Sequence, residues 1–364
     1  MDKLDGKIGA RELFSIVIII IGIKGADMTP ANLFPSGQSA TWMFPIVWLV
    51  IMTIPIWATL SLLKKYKEKN IVEIIYLLTG KYIGFIICLS LLALLFTATV
   101  LNSRSYVDIM NVMIFPTTPI IVLYAVLIGS SYFIANRGLE TIGRTSWLLL
   151  PYLVGGIVLL FIILGDNIII EYLYPITGPG ITKVIKSGIT HSSLIGEFLL
   201  LAIFFPNVRD YKSYKKGTLW GLLLSCLIIS LLFIEYILIF DYVAPQMMMH
   251  PYSQLTRVTE IGMFITSLDA FFFGLWILTG IIRFSFYLYG GGAILGYTLK
   301  IKEYEPLILP ITVLTIIVGL IPSNPSQTIL ILRDNFLIKK TWIYFFALPL
   351  VLWIISKIRG EVKK

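Results

Sequence analysis

The 364-residue chain is 57% hydrophobic, has a mean hydropathy of +0.89, and carries charge on only 13% of its residues. A soluble domain carries about 25%, so a water-soluble globular enzyme is excluded and an all-α polytopic membrane protein is expected. The net charge of +9 lies in short loops between apolar runs, which argues against nucleic acid and for a lipid bilayer as partner.

Ten hydrophobic segments are predicted, over residues 10–34, 40–63, 82–107, 118–135, 145–164, 191–206, 217–240, 262–288, 306–321 and 341–358. The first is interrupted. Leu13–Ile23 is an apolar run of 11 residues between Glu12 and Lys24. At about 1.5 Å per residue it spans roughly 16 Å, half a bilayer core. It stops at Gly22-Ile-Lys24-Gly25-Ala-Asp27 and resumes through Met28–Phe34. A helix broken at mid-membrane frees backbone N–H and C=O groups, which must line a cavity or face a ligand.

Segment three carries Thr97, Thr99, Asn102 and Tyr106 in an otherwise apolar helix. Hydroxyls there mostly bond back to their own helix; Thr97, near mid-depth, is the one taken as a candidate pocket residue. The connection 165–190 holds Pro175, Gly178, Pro179 and Gly180, shows little periodicity, and is read as an outer loop.

The sixth segment is the second interruption. After Gly196-Glu197 only eight apolar residues precede Pro206. Two interrupted segments at matching positions point to a transporter architecture of two inverted five-helix repeats. They are placed at 8–165 and 190–358 within a single membrane domain, 1–364, with helices 1 and 6 broken at mid-membrane. Glu235, near the outer end of segment seven, is expected to snorkel to the interface. A second outer loop, 241–261, carries MMMHPY. His191 and His250 lie at or beyond the membrane boundary, are expected to be solvated, and receive no role. On segment eight, Asp269, Trp276 and Arg283 fall within about 40° of one helical face. A stripe with both charge signs should look into the bundle.

Lys and Arg set the orientation. With the N-terminus inside, 20 of them lie in cytoplasmic loops and 7 outside, Arg104, Lys183 and Arg333 among the latter. Both termini are therefore expected in the cytoplasm. Cys88 and Cys226 each sit inside an apolar run, so neither a disulfide framework nor a metal site is expected. No nucleotide, dinucleotide or zinc motif occurs, so no cofactor and no enzymatic reaction are expected. Ionisable residues within membrane segments are functional candidates by default. The candidate ligand-binding set is Gly22, Lys24, Gly25, Asp27, Thr97, Gly196, Glu197, Asp269 and Trp276. Lys24 is expected in a central cavity within reach of Asp27, Glu197 or Asp269, where its ammonium offsets their charge or meets a ligand carboxylate.

Five stretches carry a family resemblance: Gly37–Trp42 (GQSATW), Phe115–Ile120 (FPTTPI), Arg137–Arg144 (RGLETIGR), Gly196–Pro206 (GEFLLLAIFFP) and Ser267–Tyr289 (SLDAFFFGLWILTGIIRFSFYLY). In that order and spacing the chain resembles the endospore germination permeases, the B subunits of nutrient germinant receptors. These belong to the amino acid–polyamine–organocation transporter superfamily. The resemblance implies two inverted five-helix repeats and a pocket for a small nutrient, such as an amino acid, lined by segments one, three, six and eight. It also implies residence in the spore inner membrane and work beside an A subunit and a lipoprotein C subunit. It carries over Gly196, Glu197 and Asp269 as pocket or gate residues. Lys24 departs from the family pattern, which more often has a small or apolar residue there. A symporter of the same fold is the competing expectation.

Overall fold

The computed structural model describes residues 6–248, 250–258, 268–322, 337 and 341–360. It is built from helices, and among the described residues the only extended pairing is a single bridge between Ile8 and Val208. In chain order the helices are α1 (Ala10–Val17), α2 (Thr29–Gly37), α3 (Phe44–Lys65), α4 (Ile71–Thr79), α5 (Lys81–Met113), α6 (Ile120–Ala135) and α7 (Leu139–Ile163). They continue as α8 (Ile181–His191), α9 (Phe198–Leu201), α10 (Tyr211–Phe240), α11 (Ala244–Met247), α12 (Pro251–Arg257), α13 (Leu268–Leu299), α14 (Ile308–Leu320) and α15 (Leu348–Ile358). Six helical stretches among the described residues are long and apolar enough to cross a bilayer: 29–65, 81–113, 139–167, 181–207, 211–240 and 269–299. Shorter apolar helices cover 120–135, 305–320 and 343–358.

Local chemistry sets several of the ends. The Glu12 carboxylate accepts the Gly9 N–H at 2.9 Å and starts α1. Asn70 and Glu73 cap α4 reciprocally, each backbone N–H donating to the other's side chain at 2.9 Å. Asp210 accepts the Ser213 N–H at 2.8 Å and opens α10. The α4–α5 turn needs Gly80, whose φ of +83° is strained for any residue with a Cβ.

Both interruptions are visible. After α1 the chain passes through a π-helical turn, Ile18–Gly22, and a 3-10 turn, Ile23–Gly25, before α2 starts at Thr29. The second runs from α8 through a 3-10 turn, Ser192–Ile195, to Gly196-Glu197 and the short α9. Around them, α1 lies along α10, where Cβ atoms at Gly217 and Gly221 would meet Leu13 at 3.1 Å and Val17 at 2.6 Å. The long α13 packs on α5, α6 and α7, and α3 packs on α8, α10 and α15. The first and last described residues share one end of the bundle. Lys7 and Lys64 line one groove, while Lys65 donates to the Gly360 carbonyl at 3.2 Å.

Four expectations are corrected. The supposed loop 165–190 contains most of α8, because its cluster of glycines and prolines ends at Gly180 and an amphipathic run, with Gly188 buried in it, follows. Arg104 is not in a loop: it is buried within α5, pairs with Asp108 at 2.9 Å and donates to the Gly319 carbonyl at 2.8 Å. Glu235 does not snorkel; it is 1% exposed, and neither carboxylate oxygen has a hydrogen-bond partner among the described residues. The two histidines are buried rather than solvated, His191 stacked on Phe44 with centroids 6.1 Å apart. The predicted start of segment eight (262–267), Met249 of MMMHPY, and Lys3, Arg333, Lys339, Lys340, Lys363 and Lys364 lie outside the described residues.

Candidate functional site

The two interruptions meet. Lys24, in the first, reaches the second: its Nζ donates to the Leu194 carbonyl and, at 2.5 Å, to Glu197 Oε2. Leu194 belongs to the 3-10 turn, where its carbonyl has left the α-helical ladder, and the lysine satisfies it. The other carboxylate oxygen, Glu197 Oε1, accepts from the Tyr287 hydroxyl at 2.9 Å. That hydroxyl in turn accepts from Arg283 Nε at 3.1 Å. Arg283 Nη1 donates to Asp27 Oδ2 at 3.2 Å, and Asp27 Oδ1 accepts the Thr29 N–H at 2.7 Å, starting α2. Two cations and two anions thus form a chain from the first interruption through α13 to the second. The exposures are 5% and 11% for the Lys24–Glu197 side chains, and 1% and 2% for Arg283–Asp27. A charge at that depth is tolerated only when paired and hydrogen-bonded.

A cavity of about 60 Å³ lies against this network. Its polar wall is Lys24, Ser193, Glu197, Arg283, Tyr287 and, from α5, Asn102. Its apolar wall includes Leu94, Leu95 and Ala98 of α5, Leu200 of α9, and Phe345 before α15. About 10–15 Å³ holds one water on this measure, so the cavity has room for a few waters.

The site residues predicted from sequence divide into three groups. Lys24, Asp27 and Glu197 are brought together. Gly196 lies beside them, where an added Cβ would come within 2.2 Å of the Phe345 ring. Gly25 sits against α10, with its carbonyl accepting the Tyr236 hydroxyl at 2.8 Å. Gly22 and Trp276 line a different, smaller cavity of about 20 Å³, together with Tyr252 and Leu275. The Trp276 ring stacks on Tyr106 at 3.9 Å. Thr97 is half-buried and does not line the cavity. Asp269 is in the first turn of α13, half-buried, and accepts the Ala270 N–H at 2.8 Å. Fourteen residues separate it from Arg283, about 21 Å along the helix, so it takes no part in the charge network. Arg283 pairs with Asp27 instead.

Sequence reasoning passed over Tyr287 and Asn102. For Tyr287 the signal was its i,i+4 spacing from Arg283. For Asn102 it was the shared face with Ala98 and Leu95, one position around the helix from Thr97.

A family model described as spore germination protein matches residues 7–328. The chain belongs to the spore germination permease family. Spore germination protein KB of Bacillus subtilis is 26% identical over 326 residues, covering 85% of this chain and 86% of that protein. Putative spore germination protein YfkT of the same organism is 26% identical over 281 residues, covering 76% and 75%. Among solved structures, a Na+-coupled sialic acid symporter in a substrate-bound outward-open state aligns with a TM-score of 0.58 at 13% identity, covering 98% of this chain and 80% of its own. Mhp1, a nucleobase-cation-symport-1 family transporter in a closed conformation with bromovinylhydantoin bound, aligns with a TM-score of 0.64 at 12% identity, covering 93% and 79%. At such identity the likeness is one of fold. This permease family member therefore shares the backbone architecture of cation-coupled transporters.

Proposed function

We propose that this permease is the membrane-embedded, nutrient-sensing subunit of a spore germination receptor and performs no enzymatic reaction. A small metabolite binds where the two interrupted helices meet, and the bound state is passed to partner A and C subunits. The observation that carries this reading is the direct Lys24–Glu197 contact between the two interruptions, at the wall of a small cavity. A ligand that enters there must rearrange groups belonging to both halves of the chain. Such a site couples occupancy to conformation, because the ligand interacts differently with the two arrangements.

The proposed architecture is one membrane domain of ten crossings, in two inverted five-helix repeats over 8–165 and 190–358. Its termini face the cytoplasm and its membrane is the inner membrane of the spore. The shared position of the first and last described residues at one end of the bundle, beside Lys7, Lys64 and Arg209, supports that orientation. Gly196, Glu197, Lys24 and Asp27 are the proposed ligand-responsive residues, with Arg283, Tyr287 and Asn102 added to them. Gly22, Gly25 and Trp276 support the first interruption from behind, while Thr97 and Asp269 drop out of the site.

A second reading, a symporter for a small metabolite, is favoured by the fold shared with two cation-coupled symporters. Two experiments on the purified protein decide between them. A thermal-shift screen of nutrients in detergent tests for a ligand. Uptake of the best radiolabelled ligand into proteoliposomes containing this chain alone tests for transport. Stabilisation without uptake is the result expected of a receptor subunit. Concentrative uptake would establish the symporter, and a screen without any stabilising compound would remove the binding site itself.

A further inference from the structure

The cavity wall has a donor and acceptor balance that selects a ligand class. Resting on the proposed binding site, the inference concerns what that site accepts. Glu197 is the only carboxylate among the described residues of the wall, and both of its oxygens already accept, from Lys24 and from Tyr287. The freed carbonyl of Leu194, the backbone group best placed to take a cation, accepts from Lys24 as well. Behind the wall, both oxygens of Asp27 are engaged, by Arg283 and by the Thr29 N–H. Among the charged groups of the wall the donors are in excess; Asn102, whose Nδ2 donates to the Ala98 carbonyl at 2.7 Å, adds a neutral amide oxygen as acceptor. An ammonium has three N–H groups and a guanidinium five. Lys24 uses two, and Arg283 uses two.

Lys24 thus fills, from within the chain, the place that the amine of a bound amino acid would need. An incoming ammonium would have to push Lys24 away from Glu197 and Leu194 and leave a buried lysine without its partners. By the cost of breaking a buried ion pair, binding would weaken on the order of 100-fold or more. A ligand with oxygen acceptors meets the spare N–H groups of Lys24 and Arg283 and leaves the pair intact. We infer that this cavity takes small oxygen-bearing metabolites without an ammonium group, hydroxy acids or sugars rather than amino acids, and that Lys24 is the residue that excludes amines.

Matched pairs that differ only at the amine test this: L-lactate against L-alanine, and glucose against glucosamine, by thermal shift and calorimetric titration of the purified full chain. In wild type the amine-free member of at least one pair should bind, and its amine counterpart should bind at least about 100-fold more weakly. In Lys24→Met, with the Glu197 carboxylate and the Leu194 carbonyl released, the amine member should gain at least about 10-fold. Wild-type preference for L-alanine over L-lactate, or for glucosamine over glucose, overturns the inference while leaving the binding site standing. A wild type that binds neither these compounds nor any other nutrient in the screen removes the site, and the inference with it. The wild-type comparison does not depend on the variant folding.

Discussion

Removing the Asp27 charge should expose how strongly the first interruption is tied to α13. The Arg283 Nη1 to Asp27 Oδ2 distance is 3.2 Å, with both side chains almost fully buried. At an effective dielectric of about 20, Coulomb's law gives about 5 kcal/mol for unit charges at this separation. Mutational experience with buried pairs puts the loss of one partner at about 3–5 kcal/mol. Asp27→Asn keeps an oxygen for the Thr29 N–H, so the variant removes charge and not the start of α2. Arg283→Met removes the other partner at similar length. A double-mutant cycle, read by denaturant or thermal unfolding in one detergent, should show each single variant losing about 3 kcal/mol or more. The double variant should lose clearly less than their sum, with a coupling of at least about 1.5 kcal/mol. Additivity within about 0.5 kcal/mol would refute the pairing as an energetic link.

Three further predictions address other parts of the molecule. Gly196→Ala should destabilise by about 1–3 kcal/mol, because its Cβ would fall within 2.2 Å of the Phe345 ring; the unfolding midpoint checks it, and no change would mean that the two segments are not in contact. His250, between α11 and α12, is held by burial at a pKa of about 4, below its ordinary 6.5. Between those values the unfolded chain binds the extra proton, so stability is full above pH 6.5 and falls by up to ~3 kcal/mol as pH drops toward 4. Melting curves across that window should flatten in His250→Gln. Lys183 is exposed on α8, and Lys183→Cys should react with a membrane-impermeant maleimide only from outside; labelling only from the cytoplasmic side would reverse the proposed topology.

The two interruptions were legible because glycine, charge and a too-short apolar run coincide there, and each signal is local. That Lys24 needs an acid was also legible, because a buried lysine is costly unpaired; the sequence offered Asp27, Glu197 and Asp269, and the structure pairs it with Glu197. The partner of Asp27 was not. Beyond a broken helix the chain direction is lost to sequence spacing, and helical periodicity on segment eight only put Asp269 and Arg283 on one face. The structure separates those two by about four turns. Thr97 was chosen by depth, whereas facing is decided by packing, and α5 turns Ala98 and Asn102 to the cavity instead. The helix α8 was hidden by the glycines and prolines just before it. Glu235 was misread because a carboxylate near a helix end ordinarily finds water, and only the packing of the neighbouring helices reveals that this one does not.

Calorimetric titration of wild type and Glu197→Gln, with the best ligand from the nutrient screen, is the most direct measure of whether the meeting point of the interrupted helices is the binding site. Glutamine has nearly the same shape, but its single oxygen replaces two: it can accept from Lys24 or from Tyr287 in the present geometry, not from both, and it removes the charge that holds Lys24 in place. A variant that elutes as a single folded species and binds the ligand at least about 10-fold differently, a shift of about 1.4 kcal/mol, is the predicted result. An unchanged Kd in such a folded variant would contradict the central claim.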